Sequence, residues 1–189
     1  MQVDPRTGLL DAARQCPSPN RDARPDPDHI DLVLVHGISL PPGAFGGDAI
    51  DRLFTNTLDP AAHPCYEAIA HLRVSAHLLV RRDGGVVQYV PFHERAWHAG
   101  VSAWCGRPRC NDFSIGIELE GTDETPYADP QYERLAAIVD ALATAYPRID
   151  PARLAGHADV APGRKTDPGP AFDWERLAAL LEPQGKPAR

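Results

Sequence analysis

Residues 1–28 show no apolar periodicity; they are polar and rich in proline, the pattern of an extended arm laid over a domain. The first strong signal is Ile30-Asp31-Leu32-Val33-Leu34-Val35. So nearly continuous an apolar run predicts a central strand buried on both faces, ending at His36-Gly37. Leu40-Pro41-Pro42-Gly43 then predicts a loop, and residues 48–54 and 66–72 two short helices. The runs 76–81 and 86–90 flank Asp83-Gly84-Gly85 and predict a β-hairpin. Residues 113–119 alternate apolar with small or polar side chains, as a further strand would.

From 130 to 146, Tyr132, Leu135, Val139, Leu142 and Tyr146 recur at steps of three and four, one stripe of an amphipathic helix. Asp129 is its expected N-cap and Pro130 its first residue. A last helix starts at Asp173 as cap and carries Leu177, Leu180 and Leu181. No internal repeat is visible. Together these elements predict a single α/β domain: a mixed central sheet of about five or six strands flanked by helices. Its expected limits are 29–182, with the proline-rich arm at 1–28 and a flexible tail at 183–189.

Composition narrows the partners. A chain of 189 residues suits one domain with a sizeable core. Lys and Arg total 19 against 26 Asp and Glu, a formal charge of −7, which offers no footprint for nucleic acid or anionic lipid. A small-molecule or neutral polymeric substrate fits better. The N-terminus has no apolar signal core and no stretch reaches the length of a membrane span, so a cytoplasmic, monomeric protein is expected. Cys16, Cys65, Cys105 and Cys110 lack CxxC spacing and are expected to be reduced thiols.

Three features carry chemistry. His36 closes a buried strand. His157 follows Gly156 and lies ten residues before Asp167, within Lys165-Thr166-Asp167-Pro168. Glu118 sits inside the strand Ile115–Leu119. Singly, each has an ordinary explanation: a carbonyl-bonded histidine, a turn aspartate before proline, a solvent-facing strand glutamate. Jointly, two imidazoles and a carboxylate make a suitable donor set for catalytic zinc with a fourth position left for water. No HExxH helix is present, so such a site has to be assembled from distant segments. Pro168 favours an extended Asp167, which would bring Lys165 to the same side, where an ammonium can stabilise an oxyanion.

Several runs resemble a known family. They are Val35–Gly43 (VHGISLPPG), His71–His77 (HLRVSAH), Arg95–Gly100 (RAWHAG), Asn111–Gly121 (NDFSIGIELEG) and Arg164–Pro170 (RKTDPGP). They resemble, in unbroken order over roughly residues 10–182, the AmpD-like 1,6-anhydro-N-acetylmuramyl-L-alanine amidases. These belong to the wider zinc amidase family that includes phage lysozyme-type amidases and peptidoglycan recognition proteins. The resemblance implies that fold, Zn2+ held by His36, His157 and Asp167, Glu118 as general acid/base and Lys165 as oxyanion stabiliser. It implies hydrolysis of the bond between muramic acid and L-alanine in peptidoglycan turnover fragments, for wall recycling, and with it a lowered muropeptide signal for β-lactamase induction. Trp97 would offer a wall for a sugar face, while Arg73 and Arg109 would pair with stem-peptide carboxylates. Core packing for Trp97 and surface ion pairs for the arginines are the competing roles. His77 and His98 are expected to be packed, hydrogen-bonded histidines.

The family usually carries asparagine after the first histidine; here the residue is Gly37, which puts one substrate contact in doubt. Two other functions compete with hydrolysis. A non-catalytic module binding wall fragments would be expected to lose a ligand, and a structural zinc would need a fourth protein ligand.

Overall fold

The computed structural model describes residues 1–182; the tail expected at 183–189 lies outside them. Six strands form one mixed sheet: β1 (Arg14–Gln15), β2 (Leu32–Ile38), β3 (Leu78–Val80), β4 (Val86–Gln88), β5 (Ser114–Glu120) and β6 (Ala155–Gly156), in the order β6-β2-β5-β3-β4-β1. The pairs β6–β2, β2–β5, β5–β3 and β1–β4 are parallel, and only the β3–β4 hairpin is antiparallel. Four helices join it: α1 (Ala49–Phe54), α2 (Asp129–Ala145), α3 (His157–Val160) and α4 (Trp174–Leu181). No helix among the described residues is long and apolar enough to cross a membrane.

The alternation of β2 and β5 sorts their side chains onto two faces. Val33, Val35, Ile115, Ile117 and Leu119 pack in one cluster with Leu135, Ile138, Val139 and Leu142 of α2. Leu32 and Leu34 face the opposite way and pack with Ala99, Cys110, Phe113 and Val160. Because both faces are covered, the sequence of β2 reads as unbroken apolar rather than alternating. Further along that second face lie His36 and Glu118, both buried.

Three local expectations need correction. β2 continues through Gly37 to Ile38, so His36 lies within the strand and not at its end. Residues 66–72 do not form a helix. A short 3-10 turn at Pro64–Tyr66, capped by the His63 ring, gives way to separate turns, with too few consecutive backbone bonds to propagate an α-helix. The N-cap of α2 is Ala128 rather than Asp129. Buried Gln131 reaches back to accept from the Ala128 N–H at 3.0 Å and donates to the carbonyls of Val80 and Glu120, tying the helix to the sheet.

The N-terminal arm is fastened piece by piece. Val3–Asp4 pairs with Leu9–Leu10, β1 extends the sheet edge, and Arg21–Ala23 pairs with Glu94–Ala96. Arg24 is the pin. Its guanidinium is buried without a carboxylate and donates to the carbonyls of Phe92 (3.1 Å), Asn111 (3.0 Å), Asp112 (3.2 Å) and Ser114 (2.8 Å). Burial pushes its pKa down to about 10. Arg24→Met would keep the apolar stem but orphan several buried carbonyls. It is expected to cost about 2–4 kcal/mol of stability, measured by urea unfolding; a change within about 0.5 kcal/mol would contradict the pinning role.

Candidate active site

Strand register assembles the site. Glu118 of β5 lies directly beside His36 of β2, so both side chains project from the same face. On the other side of β2, Ala155 pairs with Leu34 and Gly156 with Val35, which brings the next residue, His157 at the start of α3, level with His36. Asp167 arrives on a turn in which the Gly169 N–H bonds the Thr166 carbonyl around a cis Asp167–Pro168 peptide. Two bonds hold that turn: Ala158 N–H to the Asp167 carbonyl at 3.0 Å, and the Tyr127 hydroxyl to the Pro168 carbonyl at 3.0 Å. Gly156 lets the turn come close, because a Cβ there would meet Pro168 Cδ at 2.9 Å.

Three donor atoms converge. His36 Nδ1 lies 3.0 Å from His157 Nδ1, His36 Nδ1 lies 3.2 Å from Asp167 Oδ2, and His157 Nδ1 lies 3.1 Å from the same oxygen. Tetrahedral zinc with bonds of about 2.0–2.1 Å separates its ligands by about 3.3 Å, so this triangle fits such an ion after a small expansion. The donor chemistry fits as well, and no fourth histidine, cysteine or carboxylate belongs to the group among the described residues. His36 and His157 are 1% and 3% exposed.

The surrounding charges divide the two carboxyls. Burial alone would raise Asp167, but the His157 and His36 imidazoles beside it outweigh burial and hold the carboxyl well below its ordinary range. Glu118 is pushed well above its ordinary range, first by burial and then by the charge of Asp167, with Lys165 acting the other way. Its Oε2 is buried and has no hydrogen-bond partner among the described residues, so one oxygen is free to meet a water or substrate atom. His36 is lowered, chiefly by burial. Lys165 is exposed and has no bonded side-chain partner among the described residues, while its charge reaches both His36 and Glu118.

The expected substrate residues fall in different places. Trp97 and Arg109 line one cavity of about 330 Å³ together with Asp22, Arg95 and Asn111. The Trp97 indole N–H donates to Asp22 at 3.1 Å, and Arg109 pairs with Asp112 at 3.1 Å. Arg73 does not line that cavity; it is exposed and reaches only neighbouring carbonyls. His77 is turned away from the donor triangle. Its Nδ1 accepts from the Gly116 N–H at 3.0 Å, and its Nε2 lies 3.1 Å from the Glu94 carbonyl. At Gly37 a Cβ would overlap the Tyr127 hydroxyl, so a side chain there requires that ring to move.

Sequence reasoning missed Tyr127, which holds the Asp167 turn, and underrated His98. His98 Nδ1 lies 2.9 Å from His36 Nε2, against the face of β5 at Gly116. Burial and the neighbouring histidines push its pKa well below the ordinary value. The one available sign was glycine at position 116 in an otherwise well-filled strand, which marks a close approach.

A mixed sheet that sets a two-histidine, one-carboxylate cluster beside a buried glutamate is the architecture of an amide-cleaving hydrolase family. The model of the N-acetylmuramoyl-L-alanine amidase family (Amidase_2) matches residues 26–170, and this chain belongs to that family. Within it, the chain is 62% identical to the 1,6-anhydro-N-acetylmuramyl-L-alanine amidase AmpD of Citrobacter freundii, over 93% of this chain and 94% of that protein. The crystal structure of a Se-Met AmpD derivative superposes with a TM-score of 0.92 at 61% identity, covering 96% of this chain and 99% of that one. The amidase AmiD of E. coli, solved in complex with the substrate anhydro-N-acetylmuramic acid-L-Ala-D-gamma-Glu-L-Lys, aligns at 30% identity and a TM-score of 0.58, over 91% of this chain and 60% of that one.

Gly116→Ala tests the packing beneath the site. The added Cβ would overlap the His98 ring, and the expected loss is about 1–3 kcal/mol by urea unfolding. A neutral or stabilising effect, as at an unobstructed glycine, would show that His98 does not lie against this strand.

Proposed function

We propose that the chain hydrolyses the amide between the lactyl group of 1,6-anhydro-N-acetylmuramic acid and L-alanine in peptidoglycan turnover fragments. Zn2+ would be held by His36, His157 and Asp167. The observation that carries this is the β2–β5 register, which sets Glu118 beside His36 and hence against the donor triangle. The identity to AmpD proteins supports the choice of anhydro-muropeptide as substrate. Four free thiols suit a reducing compartment, which supports action on soluble fragments in the cytoplasm.

Zinc, when bound, supplies Lewis acidity toward the amide carbonyl and the attacking water. Glu118 takes the water proton on its unpartnered oxygen. Its raised affinity for that proton suits the next task, delivery to the departing alanine nitrogen. Lys165 approaches from the solvent side and stabilises the oxygen that becomes negative as water adds. Trp97 and Arg109 line the groove where the sugar and stem peptide would lie; Arg73 lies outside it.

Glu118→Gln is expected to retain one zinc per chain by metal analysis. Its release of tripeptide from anhydro-muramyl tripeptide, followed by mass spectrometry, should fall at least about 100-fold. Turnover equal to the parent would remove Glu118 from the mechanism. Lys165→Ala should lower kcat by about 100-fold or more while KM changes little, because the charge it meets exists only in the transition state. A rise in KM with kcat unchanged would make Lys165 a substrate-binding group instead.

A further inference from the structure

Both imidazoles of the donor triangle are backed by one short segment, residues 98–99. His98 Nδ1 meets His36 Nε2 at 2.9 Å, and the Ala99 carbonyl meets His157 Nε2 at 3.2 Å. Two side chains fasten that segment: Asn111 Oδ1 accepts from the backbone N–H of His98 at 3.2 Å and of Ala99 at 2.7 Å, and Arg164 Nη2 donates to the Ala99 carbonyl at 2.5 Å. Gly116 leaves room for the His98 ring against the sheet.

The direction of each hydrogen bond follows from groups that can only accept. The Cys110 carbonyl accepts the Ser114 hydroxyl hydrogen at 2.6 Å. Having given up its only hydrogen, Ser114 Oγ can only accept from His98 Nε2, the longest link at 3.4 Å. A neutral imidazole carries one hydrogen, so His98 Nδ1 presents a lone pair and His36 Nε2–H donates to it. In the second branch the Ala99 carbonyl can only accept, and its two lone pairs take Arg164 Nη2–H at 2.5 Å and His157 Nε2–H at 3.2 Å. Arg164 Nη2 is committed to that carbonyl and lies 3.5 Å from His157 Nε2, the longer contact, so His157 Nε2–H donates. Both chains end alike: the two Nδ1 atoms carry lone pairs aimed at the same point as Asp167 Oδ2.

We propose that His98 and Asn111 are positioning residues that hold His36 and His157 as Nε2–H tautomers, so that both Nδ1 atoms are preset for a divalent cation. A protein donor or acceptor on the far nitrogen of a metal-bound imidazole fixes ring orientation and tautomer, and its loss commonly weakens metal binding about 10–100-fold. Here the carbonyl of residue 99 and the ring of residue 98 fill both places, and Asn111 sets them together. The inference rests on the zinc site proposed above.

The test uses the full-length zinc-loaded protein with zinc affinity as the readout, measured by competition with a chromophoric chelator. His98→Ala is expected to weaken zinc binding about 10–100-fold, and His98→Asn, which can place an acceptor oxygen near the lost Nδ1, to restore most of it. Asn111→Ala should weaken binding similarly, whereas Asn111→Asp keeps the acceptor oxygen and should not. Long-range nitrogen–proton correlation spectra of the 15N-histidine-labelled parent should show Nε2–H tautomers for His36 and His157, a readout independent of whether any variant folds. Parent-like affinity in both alanine variants, or an Nδ1–H tautomer at either histidine in the parent, overturns the proposal. His36→Ala separates the two claims. If it binds zinc as tightly as the parent, the metal site itself is wrong; if only it loses zinc, the site stands and the supporting role falls.

Discussion

The parallel pairing of β2 with β5 is the constraint from which the rest of the site follows, because strand pairing fixes which side chains share a face. With Val33 opposite Ile115 and Val35 opposite Ile117, one face is committed to the apolar cluster under α2. His36 and Glu118 are then necessarily neighbours on the other face. A one-residue slip of β2 would turn His36 toward α2 and its valines away from that cluster, so the core enforces the active-site geometry. The same logic extends to β6, whose pairing with β2 brings His157 level with His36.

Upon that frame, the carboxyls of Asp167 and Glu118 acquire opposite proton affinities. Asp167 lies against both imidazoles and is held ionised, while Glu118 is buried without a hydrogen-bond partner for one oxygen and holds its proton more tightly. Separation of two carboxyls by environment is a general way to obtain a charge anchor and a proton carrier from the same chemistry. The anchor sits on a turn pinned by Tyr127 and Ala158; the carrier sits on the most deeply paired strand.

Much of this was legible in the sequence. The long apolar run of β2, the alternation of β5, the β3–β4 hairpin and the stripe of α2 all follow from period and turn chemistry. The donor set was visible as residue types, and its grouping came from resemblance, because nothing local says that β6 lies beside β2. The failures have physical causes. Residues 66–72 carry apolar side chains but are too short a segment to sustain a helix, and Gln131 took the capping role that Asp129 seemed to hold. His98 was underrated because its importance lies wholly in contacts with residues 36, 111 and 114, all distant in the chain. Arg73 and Arg109 looked equivalent in sequence, yet only Arg109 lines the groove beside Trp97.

The central claim is that strand register brings three side chains together as a zinc site that leaves one position open. Diffraction from zinc-loaded crystals, recorded on both sides of the zinc absorption edge, tests it directly. One anomalous peak per chain is expected, about 2.0–2.2 Å from His36 Nδ1, His157 Nδ1 and a carboxylate oxygen of Asp167, with no fourth protein ligand. A peak at other residues, or one closed by a fourth side chain, would contradict it.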